Sequence, residues 1–69
     1  MRMSARNQLK GKIVGVEHGM TTSHVEIDLG GGVIVMASIT KNSAEELQLE
    51  VGKEATAIIK ASDVMVGVD

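Results

Sequence analysis

Period-two alternation, glycine-punctuated turns and one helix-start signal predict an all-β chain: five short strands, with one short helix between strands 3 and 4. His24-Val25-Glu26-Ile27-Asp28-Leu29 alternates polar and apolar residues, the period of a sheet with one wet face. Gly30-Gly31-Gly32 breaks the chain directly afterwards, and an apolar run resumes at Val33. Ser43-Ala44-Glu45-Glu46 has the spacing of a capping box.

The elements follow in order. Leu9 to Glu17 reads as the first strand, with Gly11 and Gly15 placed where a curved sheet needs a bulge or a close backbone approach. His24 to Leu29 is the second, turning Val25, Ile27 and Leu29 inward. The glycine triplet reverses the chain into a hairpin, and Val33-Ile34-Val35-Met36-Ala37-Ser38-Ile39 is apolar enough to be a strand covered on both faces. In the helix that follows, the Ser43 oxygen accepts a backbone N–H, Glu46 reaches back, and the chain leaves helix before Val51-Gly52. Ala55-Thr56-Ala57-Ile58-Ile59-Lys60 and Val64-Met65-Val66 supply the fourth and fifth strands. That order fits a small OB-like barrel, a single domain over residues 1–69.

Composition restricts what such a barrel does. A chain of 69 residues buries only about 60% of its unfolded surface. With no Cys, Trp, Tyr or Phe, disulfides are excluded and the core is built from Val, Ile, Leu, Met and Ala. Small scaffolds with so thin a core rely on a metal, a crosslink or association, and here association with copies of the same chain is the expected route. The net charge of −2 argues against a broad basic surface for nucleic acid. No apolar run approaches the ~18 residues of a membrane span, and Met1-Arg2-Met3-Ser4 lacks the apolar core of a secretion signal. A cytoplasmic protein is expected.

Two stretches at opposite ends of the sequence carry the chemistry. Ser4-Ala5-Arg6-Asn7-Gln8 and Lys60-Ala61-Ser62-Asp63 hold two of the seven cations beside hydroxyls and small residues. A tetrahedral dianion needs fixed positive charge and several N–H and O–H donors converging from different directions. Taken alone, Arg6 and Lys60 are solvated surface cations, and Thr40 and Ser43 are ordinary loop and cap residues. Asn7 is assigned to backbone satisfaction where the first strand begins, and Asp63 to pairing with a cation or ending the fourth strand.

Together these segments resemble the molbindins, the stand-alone Mop domains that bind molybdate or tungstate in the bacterial cytoplasm. The resemblance rests on Ser4-Ala5-Arg6-Asn7-Gln8-Leu9-Lys10-Gly11, on Ser38-Ile39-Thr40 with Ser43, on Gly52 to Lys60, and on Lys60-Ala61-Ser62-Asp63-Val64. It implies an OB-like barrel assembled into a homohexamer, with the oxyanion held between subunits and no chemistry performed on it. By the same resemblance Ser4, Ala5 and Arg6 of one subunit face Thr40, Ser43, Lys60 and Ala61 of its neighbour, with Ser62 either a neighbour or a ligand. Arg6 and Lys60 would supply charge, the hydroxyls of Ser4, Thr40 and Ser43 would donate, and the Ala5 and Ala61 amides would be approachable. Ser43 would serve as both cap and donor, with the helix start adding about 0.3–1 kcal/mol for an anion and the first-turn acids Glu45 and Glu46 facing away.

His24 falls on the outer face of an alternating strand, and neither it nor His18 has the partners of a bare-metal site. The turn His18-Gly19-Met20-Thr21-Thr22 is a candidate, by the resemblance, to line additional anion sites near a threefold axis. Met20, Met36 and Met65 read as core or interface packing. The rival function is single-strand nucleic-acid binding, which uses aromatic stacking that this chain lacks. An enzyme is not expected, since no nucleophile has a base beside it in a recognisable motif and no carboxylate pair is set up for acid–base work. A purely structural or sensory oligomerisation module is the remaining alternative; with no fused partner in the sequence, storage or buffering of the oxyanion is preferred.

Overall fold

One strand organises the others. In the computed structural model, which describes residues 2–69, β1 (Asn7–His18) gives its first half to β4 (Glu54–Ile59) and its second half to β2 (Thr22–Gly30). β3 (Val33–Thr40) pairs with the far side of β2, so the sheet order is β3-β2-β1-β4, antiparallel throughout. The helix α1 (Lys41–Glu46) joins β3 to β4, and a 3₁₀ turn, Ala61–Asp63, follows β4. The sheet curls into a half-barrel.

Glycine makes the curl possible. A Cβ on Gly11 would lie 2.5 Å from the Asp28 carbonyl oxygen and 2.7 Å from Ile27 Cγ2, so β1 and β2 approach as only glycine allows. The register of β1 against β2 then shifts between Ile13 and Gly15, a bulge that bends the strand. At the other end of β2, Gly31 and Gly32 form a two-residue reversal with φ of +62° and +83°, the pair of left-handed conformations that matches strand twist. Asp28 Oδ1 accepts the Gly30 N–H at 2.7 Å and steadies the entry.

Ile13, Val25, Ile27 and Ala57 form the buried centre, with Val16, Leu29, Val35, Ala37, Ile39, Leu49 and Ala55 packed around it. The expected inward set Val25, Ile27 and Leu29 is therefore on the core side, and the core is as thin as the composition implied. The linker after α1 adds to it: Leu49 N–H donates to Ala44 O, while Gly52 N and Lys53 O bracket Ile13 with two 2.8 Å bonds. Lys53 Nζ also donates to Gln48 O at 2.9 Å.

Three expectations are corrected. There is no fifth strand among the described residues: Val64, Met65 and Val66 are 49%, 94% and 90% exposed and carry no strand assignment. The 3₁₀ turn, closed by Asp63 N–H to Lys60 O and Val64 N–H to Ala61 O, diverts the chain where it leaves β4. β3 is covered on one face only, since Val35, Ala37 and Ile39 are half-buried whereas Ile34, Met36 and Ser38, which alternate with them, are exposed. The helix is capped by Thr40 and not by Ser43, because β3 ends one residue after Ile39 and Thr40, with extended φ −68° and ψ 148°, already accepts the Ser43 N–H. Glu45 and Glu46 thus fall in the last turn of the helix, not the first.

Candidate functional site

The pairing of β1 with β4 brings the two sequence-distant donor stretches to one end of the sheet. Asn7 is in register with Ile59, and its Nδ2 donates to Ile59 O at 3.2 Å. Ser4-Ala5-Arg6 and Lys60-Ala61-Ser62 therefore leave the sheet side by side, and Asn7 has the backbone-satisfying role read from sequence. Ala5 is buried at 8% exposure and its carbonyl accepts Gln8 Nε2 at 3.3 Å, which anchors the arm between the exposed Ser4 and Arg6. Lys60, Ala61 and Ser62 are exposed. The first bond of the 3₁₀ turn comes from Asp63 N, so the Ala61 and Ser62 amides ahead of it are free of the turn's own bonding. Asp63 closes that turn.

Thr40 and Ser43 form a second cluster. Ser43 N donates to Thr40 Oγ1 at 3.1 Å, and Thr40 Oγ1 donates to Ser43 Oγ at 2.8 Å. The Thr40 proton is thereby engaged, and the Ser43 hydroxyl keeps one free to donate. Hydrogen bonds in such a relay polarise one another, so the last donor is strengthened by the amide behind it. Beside this pair stands Lys41, half-buried at the first helical position and not singled out from the sequence; its signal was adjacency to Thr40. Its backbone N–H donates to Thr21 O at 2.9 Å. Thr40 is also in register with Thr22 of β2.

Within one chain the two clusters lie at opposite ends of β1, one at Asn7 and the other beyond His18, with the 12-residue strand between them. They are related in another way. Residues 35–39 of β3 and 55–59 of β4 line an apolar groove of about 630 Å³ with Val25 and Ile27 at its base and Leu47 and Leu49 beside it. Thr40 follows directly on one wall and Lys60 on the other.

A second cleft, about 610 Å³, opens over Gly11 and is lined by Lys10, Lys12, Asp28 and Glu54. Its cations are matched by cross-strand acids, Glu54 and Asp28 on either side of Lys12, so it repels a dianion as much as it attracts one. His24 and His18 are both exposed, and His18 Nδ1 lies 2.6 Å from the Oγ of the fully buried Ser23. Among the described residues no group of three or more His, Cys, Asp or Glu side chains is placed to hold a metal ion, and no helix is long and apolar enough to cross a membrane.

A curled four-stranded sheet with exposed hydroxyl and cationic side chains at its rims defines a small OB-like domain. A family model described as the TOBE domain matches residues 3–66, and the chain belongs to that family, in its molbindin (Mop) branch. It is 55% identical over 69 residues, covering 100% of both chains, to a probable molybdenum-pterin-binding protein of Haemophilus influenzae. The apo structure of MopII from Clostridium pasteurianum superposes with a TM-score of 0.90 at 43% identity, over 97% of this chain and 100% of that one. ModG, a cytoplasmic molybdate-binding protein solved with molybdate bound, superposes with a TM-score of 0.94 at 40% identity, over 100% of this chain and 49% of its own length.

Proposed function

We propose that this protein binds molybdate or tungstate in the cytoplasm and holds it as a store or buffer, without catalysis, at sites shared between copies of the chain. The observation that carries the reading is the likeness of the whole of this chain to about half of molybdate-bound ModG, combined with the convergence of Ser4-Ala5-Arg6 and Lys60-Ala61-Ser62 at one end of the β1–β4 pair. Molybdate keeps its charge and its tetrahedron throughout, so the site has only to replace water with fixed donors.

The proposed ligand set is Ser4, Ala5 and Arg6 with Lys60, Ala61 and Ser62, side by side in one copy, completed by Thr40 and Ser43 of another. The division implied by the molbindin resemblance is regrouped in this way because Thr40 and Lys60 of one chain lie at opposite ends of the sheet. Separation of the Thr40 and Asn7 ends within one chain favours a shared site, because one copy presents the donors in two places. Assembly has its own support. The groove between β3 and β4 is apolar, both of these edge strands lack a partner on that side, and Met65, Val66 and Val68 stand 94%, 90% and 94% exposed. A monomer leaving this much apolar surface in water is disfavoured, and a homohexamer is the assembly that the molbindin likeness implies.

Calorimetric titration with molybdate, tungstate, sulfate, a pterin and a single-stranded oligonucleotide, paired with sedimentation equilibrium, tests the reading. Saturable binding of the first two by an oligomer supports it. Binding of the oligonucleotide alone would replace it with a nucleic-acid function, and binding of none of the five would leave a structural or sensory oligomerisation module.

A further inference from the structure

We propose that His18 is a positioning residue for the oxyanion site, holding through Ser23 the turn on which Thr40 and the start of α1 are fixed. The inference rests on the reading above, which makes Thr40 and Ser43 ligands. Ser23 is 0% exposed and is the one fully buried polar side chain among the described residues. A buried hydroxyl without a partner is costly, and its side-chain partner is His18 Nδ1, at 2.6 Å. An apolar side chain of similar size would fill the space at no such cost, so the pair is a directed contact and not mere packing.

The contact sits where three strands end together. His18 is in register with Ser23, Ser23 with Ile39, and the next pair along is Thr22 with Thr40. Gly19 N–H donates to Thr22 O at 2.7 Å and closes the turn, while Thr21 O accepts the Lys41 N–H at 2.9 Å. The turn is thus tied to His18 on one side and to the first residue of α1 on the other. Thr40, held between the Thr22 register and the Lys41 bond, keeps the extended backbone that turns its oxygen onto Ser43. Release of His18 from Ser23 loosens Thr21 and Thr22 and, with them, the direction of the Ser43 donor.

The test uses the whole chain as wild type and as His18→Asn, His18→Gln, His18→Ala and Ser23→Ala. Asparagine carries its polar atom at the same number of bonds from the backbone as Nδ1, whereas glutamine matches Nε2. Molybdate affinity should fall about two- to tenfold in the Gln, Ala and Ser23 variants and stay near wild type in Asn, as expected for loss of one net hydrogen bond. Amide hydrogen exchange at Lys41 and Ser43, measured without molybdate, should quicken in the same variants and recover in Asn. Should the Ala variants fail to fold, the Asn and Gln pair decides. Unchanged exchange in Gln would overturn the proposal, and so would faster exchange with unchanged affinity. A wild type that binds no molybdate, with exchange responding as described, would instead overturn the functional reading and remove the ligand role while leaving the tie between His18 and α1 in place.

Discussion

Replacing Gly11 with alanine should destabilise the fold by about 2 kcal/mol, and the size of the effect follows from one contact. The new Cβ would lie 2.5 Å from the Asp28 carbonyl oxygen and 2.7 Å from Ile27 Cγ2. Carbon and carbonyl oxygen ordinarily approach to about 3.3 Å, so the overlap is roughly 0.8 Å against a backbone atom. Ile27 is itself 5% exposed and cannot swing aside. Overpacking of this kind costs about 1–3 kcal/mol, with rigid surroundings at the upper end. The alanine returns about 0.4–1 kcal/mol by restricting the unfolded chain, which leaves the net near 2. A domain of this length has roughly 3–10 kcal/mol in total, so the loss is a sizeable share of its stability.

Urea unfolding at fixed protein concentration measures it, since association makes the midpoint depend on concentration. With a slope near 1 kcal/mol per molar urea, the midpoint should fall by about 2 M. Gly67→Ala is the control, because nothing lies within 4 Å of the added methyl. Equal midpoints for the two variants would refute the idea that β1 and β2 close only over a bare Cα.

Arg6→Ala and Lys60→Ala should each weaken molybdate binding by about 1.5–3 kcal/mol, whereas Lys10→Ala and Lys53→Ala change little; equal losses in all four would indicate diffuse attraction. Ser43→Ala should reduce affinity while leaving the cap intact, because Thr40 Oγ1 accepts the Ser43 amide and not its hydroxyl. Thr40→Val should lower stability by about 1 kcal/mol, and Thr40→Ser should restore it, as read from thermal melts. Molybdate at about a hundred times its dissociation constant should add ~2.7 kcal/mol per independent site, with midpoints rising logarithmically in ligand and sulfate at equal ionic strength doing less.

Much of this structure was legible because it is local. The alternation from His24 to Leu29 places Val25 and Ile27 in the core, and the glycine triplet makes the hairpin, since both signals are complete within a few residues. Gly11 and Gly15 were legible as places of bend or approach, though not which strand would come close. The helix cap was misplaced by three residues because Thr40 and Ser43 carry the same hydroxyl chemistry, and only the end of β3 decides between them. For β3 and residues 64–66, the apolar pattern states that a surface is to be covered and is silent on what covers it. The donor stretches were visible in composition, whereas their convergence is a property of the β1–β4 register, which no local pattern encodes.

That register has a consequence in time. Asn7 and Ile59 are 52 positions apart, so the first half of β1 finds its partner only after the other strands have been made. At synthesis rates of about 5–20 residues per second, the wait is several seconds, whereas a hairpin such as β2–β3 closes in about 1–10 μs. Through that interval an unpaired strand edge is on offer to any neighbouring chain. Arg6, Lys10 and Lys12 in or beside that strand half give it concentrated positive charge while it is alone. Two nascent copies therefore repel each other along the very edge that would otherwise pair first, and Lys12, already faced by Asp28 of β2, meets a second acid when Glu54 arrives opposite it.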